Sequence, residues 1–312
     1  MRYLCIAAVL VSLTACRVDF DGDGPGQYQE NFHESFKVDA SARLSLENEN
    51  GGVEISSWEK NEVEVNAVKF ASSEAQLKDV KIEASATNGL VSIRTIRQQT
   101  MHGNSGARYT IRVPKHMTLD KIHSTNGSIT VEGVAAPVIL ESTNGALHFT
   151  RVEGKMEGRT TNGSIELSSC VGDARMNSTN GKIEGDVERG MVDAKTSNGE
   201  IALKIAKAVG PVRATTSNGD IDLTLDEGRE LRASTSNSAI TVRLPAGSNF
   251  DLRARTSHSK VKSDFEVVGA SSASSSSEDE EHERKSMDGK VGAGGALMDL
   301  STSNGSIRVV KR

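Results

Sequence analysis

The sequence predicts an all-β fold: a single-stranded, right-handed parallel β-solenoid with rungs of about 18–20 residues. Three observations carry this prediction. A Ser/Thr-Ser/Thr-Asn-Gly tetrapeptide recurs along the chain, apolar residues alternate with polar ones on both sides of it, and the spacing between copies is nearly constant.

The tetrapeptide comes first. Asn-Gly pairs begin at 126, 144, 162, 180 and 198, a step of 18 each time, and Asn218-Gly219 follows after 20. Asn237-Ser238 and His258-Ser259 continue the series with altered turn residues, and Asn304-Gly305 closes it. Looser copies stand at Asn50-Gly51 and Asn88-Gly89. Asn and Gly suit such turns because both tolerate positive φ.

The alternation comes second. Three residues after each Asn stand Ile129, Leu147, Ile165, Ile183, Ile201, Ile221 and Ile240. Two before it stand Ser142, Thr160, Ser178, Thr196, Thr216 and Thr235, and four before it Leu140, Met176, Ala194, Ala214, Ala233 and Ala254. Each unit therefore reads as strand, tight turn, strand. Gly133, Gly154, Gly172 and Gly190 mark a second bend.

The spacing decides between two architectures. An antiparallel β-meander of Asn-Gly hairpins is the alternative. It would oppose Arg175 to Asp186 and Asp193 to Lys204, whereas stacking would align Glu157, Arg175, Asp193 and Arg213 in a column of alternating sign. A meander has no reason to keep a step of 18, while a solenoid must overlay each rung on the last. Stacking also predicts hydrogen-bonded ladders of Asn and of Ser/Thr. Right-handedness follows from the strong preference of parallel crossovers.

The repeats TTNGSIEL, STNGKIEG, TSNGEIAL and TSNGDIDL, preceded by RLSLENENGGVEISSW and the strand YTIRVP, resemble the DUF4097 "putative adhesin" family. The resemblance covers about 32–312 and departs from the pattern at 266–296. It implies the repeat fold and an adhesion role, and no chemistry.

Outside the regular units the chain divides as follows. Residues 1–15 read as a lipoprotein signal peptide, 16–31 as an acidic Gly/Pro linker, and 32–122 as irregular rungs that cap the stack. Residues 123–265 are the regular repeats, 266–296 a disordered Ser-rich, acidic and Gly-rich loop, and 297–312 the final rung. Trp58, the only tryptophan, is expected in the core of the cap.

The signal-peptide reading rests on Arg2 followed by an apolar run from Leu4 to Leu13, too short to cross a bilayer as a helix. Its end, Leu13-Thr14-Ala15-Cys16, resembles the bacterial lipobox. That resemblance implies cleavage before Cys16, acylation of Cys16 with palmitate-type chains and attachment to the cell envelope. By resemblance to enterobacterial lipoprotein sorting, Arg17 in the next position, not being Asp, implies the outer membrane, with either its periplasmic or its surface face. Each buried CH₂ contributes about 0.8 kcal/mol, so several chains anchor stably.

Composition narrows the partners. The net charge is −5 and aromatic content is 4%, which leaves no basic excess for nucleic acid and predicts a thin core of small and branched side chains. Of three cysteines only Cys170 remains after processing; eight residues past Asn162, where Val134 and Val152 follow their own Asn, it reads as buried and apolar. Asp19, Asp21, Asp23 and Glu30 have the spacing of an EF-hand calcium loop, but Cys16 leaves no room for an entering helix and Gly26 replaces an apolar residue. The reading is therefore a linker, with no metal and no cofactor beyond the lipid on Cys16.

No catalytic residue is assigned. The seven histidines are scattered, and HExxH, GxSxG and Walker sequences are absent. Glu166 and Glu184 would stack one rung apart, an arrangement that raises one pKa if the site is dry and means nothing if both are solvated. The expected function is a non-enzymatic, lipid-anchored adhesion or interaction scaffold with a protein or glycan partner at the envelope. Two alternatives remain open: a structural element that polymerises through its terminal rungs, and a carbohydrate-active β-helix enzyme.

Overall fold

The computed structural model describes residues 28–39, 41–97, 104–269 and 285–312. The one helix among them is Glu74–Asp79, started by Ser73, whose hydroxyl accepts from the Gln76 amide. The rest is built of strands and turns.

Each regular unit places one strand before its Asn-Gly turn and one after, and each pairs in parallel with its equivalent one unit away. Val138–Ser142 pairs with Met156–Arg159, which pairs with Ala174–Asn177. Leu147–Thr150 likewise pairs with Ile165–Val171. The parallel β-solenoid therefore holds and the hairpin meander does not. Arg175 stands opposite Asp193, 3.9 Å from it, and Asp186 opposite Lys204.

The two ladders run through eleven rungs each. At about 4.8 Å per rung the stack is about 50 Å long. Ile129, Leu147, Ile165, Ile183, Ile201, Ile221, Ile240 and Ile307 form one fully buried column. Burying each such side chain contributes about 1.5–3 kcal/mol, so this column is a main source of stability. The facing column is thin: Leu140, Gly158, Met176, Ala194, Ala214, Ala233, Leu300 and Ala254. Large and small residues interlock between the columns. A Cβ on Gly158 would lie 3.1 Å from the Phe149 ring, which already fills that space.

At both ends the stacking order departs from the chain order. The rung formed by Arg43–Asn50 and Val53–Trp58 lies between Thr118–Glu132 on one side and Leu90–Pro114 on the other. At the opposite end, Leu297–Thr302 and Ile307–Lys311 slot between Leu231–Leu244 and Phe250–Ser263. The segment expected as the final rung is thus the second from the end. Its apolar strand is paired on both sides, with Ile240–Leu244 and with Val261–Ser263.

Antiparallel strands cap both ladders at one end and one ladder at the other. Lys81–Thr87 covers Leu90–Ile96, while Glu62–Ala71 and then Tyr28–Lys37 cover Gly106–Pro114. Ser286–Val291 covers Phe250–Thr256 and carries Val267–Val268 on its own edge. These caps pair the backbone groups that an open stack would leave exposed.

Three further expectations are corrected. The strand Tyr28–Lys37 begins inside the segment read as linker, because Phe32 and Phe36 dock against the core. The described parts of 266–296, expected as a disordered loop, contain strands, with Met287 and Val291 turned inward from Ser286–Val291, while 270–284 lie outside the described residues. Trp58 is only half-buried. Its indole donates to the Glu62 carbonyl, and the Lys60 ammonium sits 4.5 Å over its ring.

Candidate interaction surfaces

The turns build the most regular surface of the molecule. Nine asparagines, Asn50, Asn126, Asn144, Asn162, Asn180, Asn198, Asn218, Asn237 and Asn304, form one continuous ladder. Each Nδ2 from Asn126 onward donates to the Oδ1 of the asparagine before it, at 2.6–2.8 Å. At the start, Asn50 donates to the Ser105 carbonyl. In the outermost rung His258 takes the asparagine's place and its Nδ1 lies 3.3 Å from the Ser303 carbonyl oxygen.

The inward Ser/Thr column works differently from the ladder expected. Each hydroxyl donates to the turn-glycine carbonyl of the neighbouring rung, as Thr160 does to Gly145 and Thr196 to Gly181, both at 3.0 Å. It also accepts from the glycine N–H of its own turn, at 3.2 Å for Gly163. One side chain thus satisfies two backbone groups that the tight turn leaves over. Immediately before each asparagine, a second column of Thr125, Thr143, Thr161, Thr179, Ser197 and Ser217 flanks the ladder and is half-buried to exposed. The result is a straight rim of amides and hydroxyls repeating at the rung spacing.

Glycine is required here by contact rather than by conformation. The stacked turn glycines Gly127, Gly145, Gly163, Gly181, Gly199, Gly219 and Gly305 do not have positive φ, and only Gly51 at the start of the ladder does. A Cβ on Gly163 would instead lie 1.9 Å from the Gly145 carbonyl oxygen, well inside any allowed contact. At the second bend both reasons apply: Gly172 has φ of 132° and a Cβ there would meet Gly154 at 1.9 Å.

The other candidate residues are dispersed. Cys170 is buried, its thiol donating weakly to the Phe149 carbonyl, and burial pushes its pKa up, away from the reactive thiolate. Glu166 and Glu184 do stand in adjacent rungs, and each has its own partner: His148 at 3.1 Å and Lys182 at 2.9 Å. His123 lies on the other ladder, between Glu47 and Glu141. Glu30 pairs with Lys69 at 2.9 Å on the outer cap strand. Cys16, Asp19, Asp21 and Asp23 lie outside the described residues. Among the described residues no three His, Cys, Asp or Glu side chains gather closely enough to hold a metal ion, and no helix is long and apolar enough to cross a membrane.

The comparisons with known proteins agree with this geometry. A profile of the family described as Toastrack DUF4097 matches residues 39–266. The chain belongs to this family. Among solved structures, a "putative adhesin" from Parabacteroides merdae is similar at 10% identity, covering 90% of this chain and 96% of the other, with a TM-score of 0.50. A "putative adhesin" from Parabacteroides distasonis gives 11% identity, 92% and 98% coverage and a TM-score of 0.49. One from Bacteroides fragilis gives 12%, 90%, 97% and 0.44. At such identities the likeness is one of fold. No curated protein matches the chain.

Proposed function

We propose that this Toastrack chain is a lipid-anchored envelope protein whose solenoid serves as a non-enzymatic adhesion or interaction scaffold. One observation carries the reading: the unbroken ladder of asparagine amides along nine rungs, flanked by outward Ser/Thr hydroxyls from Thr125 onward. A rigid row of identical polar groups gives many weak contacts at fixed spacing, and such contacts multiply when the ligand also repeats. The adhesin name of the Parabacteroides merdae structure fits the same role. The anchor is supported by the sequence ending at Cys16.

The experiment is capture of envelope proteins and glycans by the intact chain, compared with a variant in which Thr143, Thr161 and Thr179 are all changed to Ala. Partners should be lost from the variant while melting stays unchanged. Equal capture by both would overturn the rim as the binding surface. Incorporation of labelled palmitate, abolished by Cys16→Ser, tests the anchor separately.

A further inference from the structure

We propose that the outer end of the stack, around Lys262 and Arg308, binds a phosphate group carried on a ligand the size of a lipid headgroup. The site is an open depression of about 440 Å³ beside the outermost rung. Four cationic side chains, Lys260, Lys262, Lys285 and Arg308, line it together with His258 and the hydroxyls of Ser259 and Ser306, and among the described residues no acidic side chain does. The volume lies in the range of ordinary ligand sites, about 300–1,000 Å³.

The arrangement gathers more like charge in one place than a single register pair does. Lys262 stands directly opposite Arg308 in the parallel register, and like charges so placed are destabilising. Arg189 and Lys207 also face each other, with Val171 beside them in the column, while two other like-charged pairs are flanked by opposite charges. Arg213 and Arg232 lie between Asp193 and Asp299, and Glu166 and Glu184 have His148 and Lys182. Beside Arg308 the next residue in the column is Thr241, and Lys262 ends the ladder. Among the described residues Lys262, Lys285 and Arg308 form no ion pair. Lys285 comes from the antiparallel cap and Arg308 from the inserted rung, so three separate segments bring their cations to one place.

A bound anion relieves this repulsion. Several converging cations and two hydroxyl donors suit a phosphate, which offers three or more acceptor oxygens and up to two charges, better than a carboxylate with two oxygens and one charge. Among the described residues no Phe, Tyr or Trp lines the depression, whose one ring is the His258 imidazole, so a neutral sugar lacks a broad apolar face to stack on. The phosphate could come from a soluble ester or from a membrane surface.

The test uses the full chain with two probes: glycerol 3-phosphate by calorimetry, and phosphatidylcholine vesicles with or without phosphatidylglycerol by co-sedimentation. Saturable binding of either probe, weakening as salt rises, is expected; the first identifies a soluble source and the second a membrane one. Lys262→Glu with Arg308→Glu should weaken binding at least about tenfold, a loss of ~1.4 kcal/mol. Lys204→Glu with Arg229→Glu, the same charge change elsewhere, should leave it intact. A shift in melting temperature separates misfolding from loss of the site, and Lys262→Gln alone, expected to give a smaller loss, covers the case in which the double variant fails to fold. The proposal falls if neither probe binds, if the control pair weakens binding equally, or if polyglutamate binds as well as the phosphates. It also falls if binding appears only after Glu278, Asp279, Glu280, Glu281 and Glu283 are changed to Gln, since the cations would then serve the chain's own acidic run.

Discussion

The dipeptide Asn-Gly does two different jobs in this molecule. At Asn88-Gly89 it is a true hairpin turn. Both residues have positive φ, 52° and 75°, and the flanking strands Lys81–Thr87 and Leu90–Ile96 are antiparallel. That is the type I′ geometry for which the pair is favoured. In the stacked turns from Asn126 onward neither residue has positive φ. There asparagine is kept for its amide ladder and glycine for the absence of a Cβ against the next rung. The same two letters therefore report conformation in one place and contact in the other.

Substitutions at each site can break this distinction. Gly163→Ala should cost the most, about 3 kcal/mol, because its Cβ would overlap the Gly145 backbone and the whole rung would have to move. Denaturant midpoints measure this, and a loss below that of Gly89→Ala would refute the contact argument. Thr160→Val, nearly isosteric, should cost about 2 kcal/mol, since it strips the partner from the Gly145 carbonyl and the Gly163 N–H. Gly89→Ala should cost about 1 kcal/mol, for conformation alone, as no atom lies within 4 Å of the added methyl.

The smallest effect is chemical. Asparagine before glycine loses ammonia when the glycine nitrogen attacks the side-chain carbonyl carbon, closing a succinimide that water then opens. In the stack the Gly163 N–H is held by Thr160 and the Asn162 amide by Asn144. Asn88 has no such neighbour rung. Peptide mapping of aged protein should therefore find conversion to aspartate and isoaspartate at Asn88 before Asn162. The reverse order would show that the ladder does not protect.

Most of the stack was legible in the sequence because its signals are local. A step of 18 and inward Ile or Leu three residues past each Asn are enough to identify a rung, and both columns are found where expected. Cys170 was legible for the same reason, since its position in the unit is an inward one. The reason for each glycine was not, because a residue lacking a side chain looks the same whether φ or a neighbour excludes the Cβ. The order of the end rungs was also hidden. Both 250–263 and 297–311 read as units, and nothing local says which one the preceding rung will meet. The cationic depression followed it out of reach, because Arg308 meets Lys262 only through that inversion, and Lys285 sits in a segment whose average composition conceals a strand.

The inverted order also constrains how the chain can be assembled. Phe250–Ser263 has no seat on the stack until Leu297–Lys311 has been synthesised and laid on Leu231–Leu244. The rung made earlier waits for the rung made later, so growth cannot run to its end in step with translation. Removing residues 297–312 should accordingly release two rungs rather than one, seen as protease cleavage after about residue 245 with the shorter stack left intact. The last stretch of the solenoid to be made acts as its keystone: it locks in place a segment that left the ribosome before it.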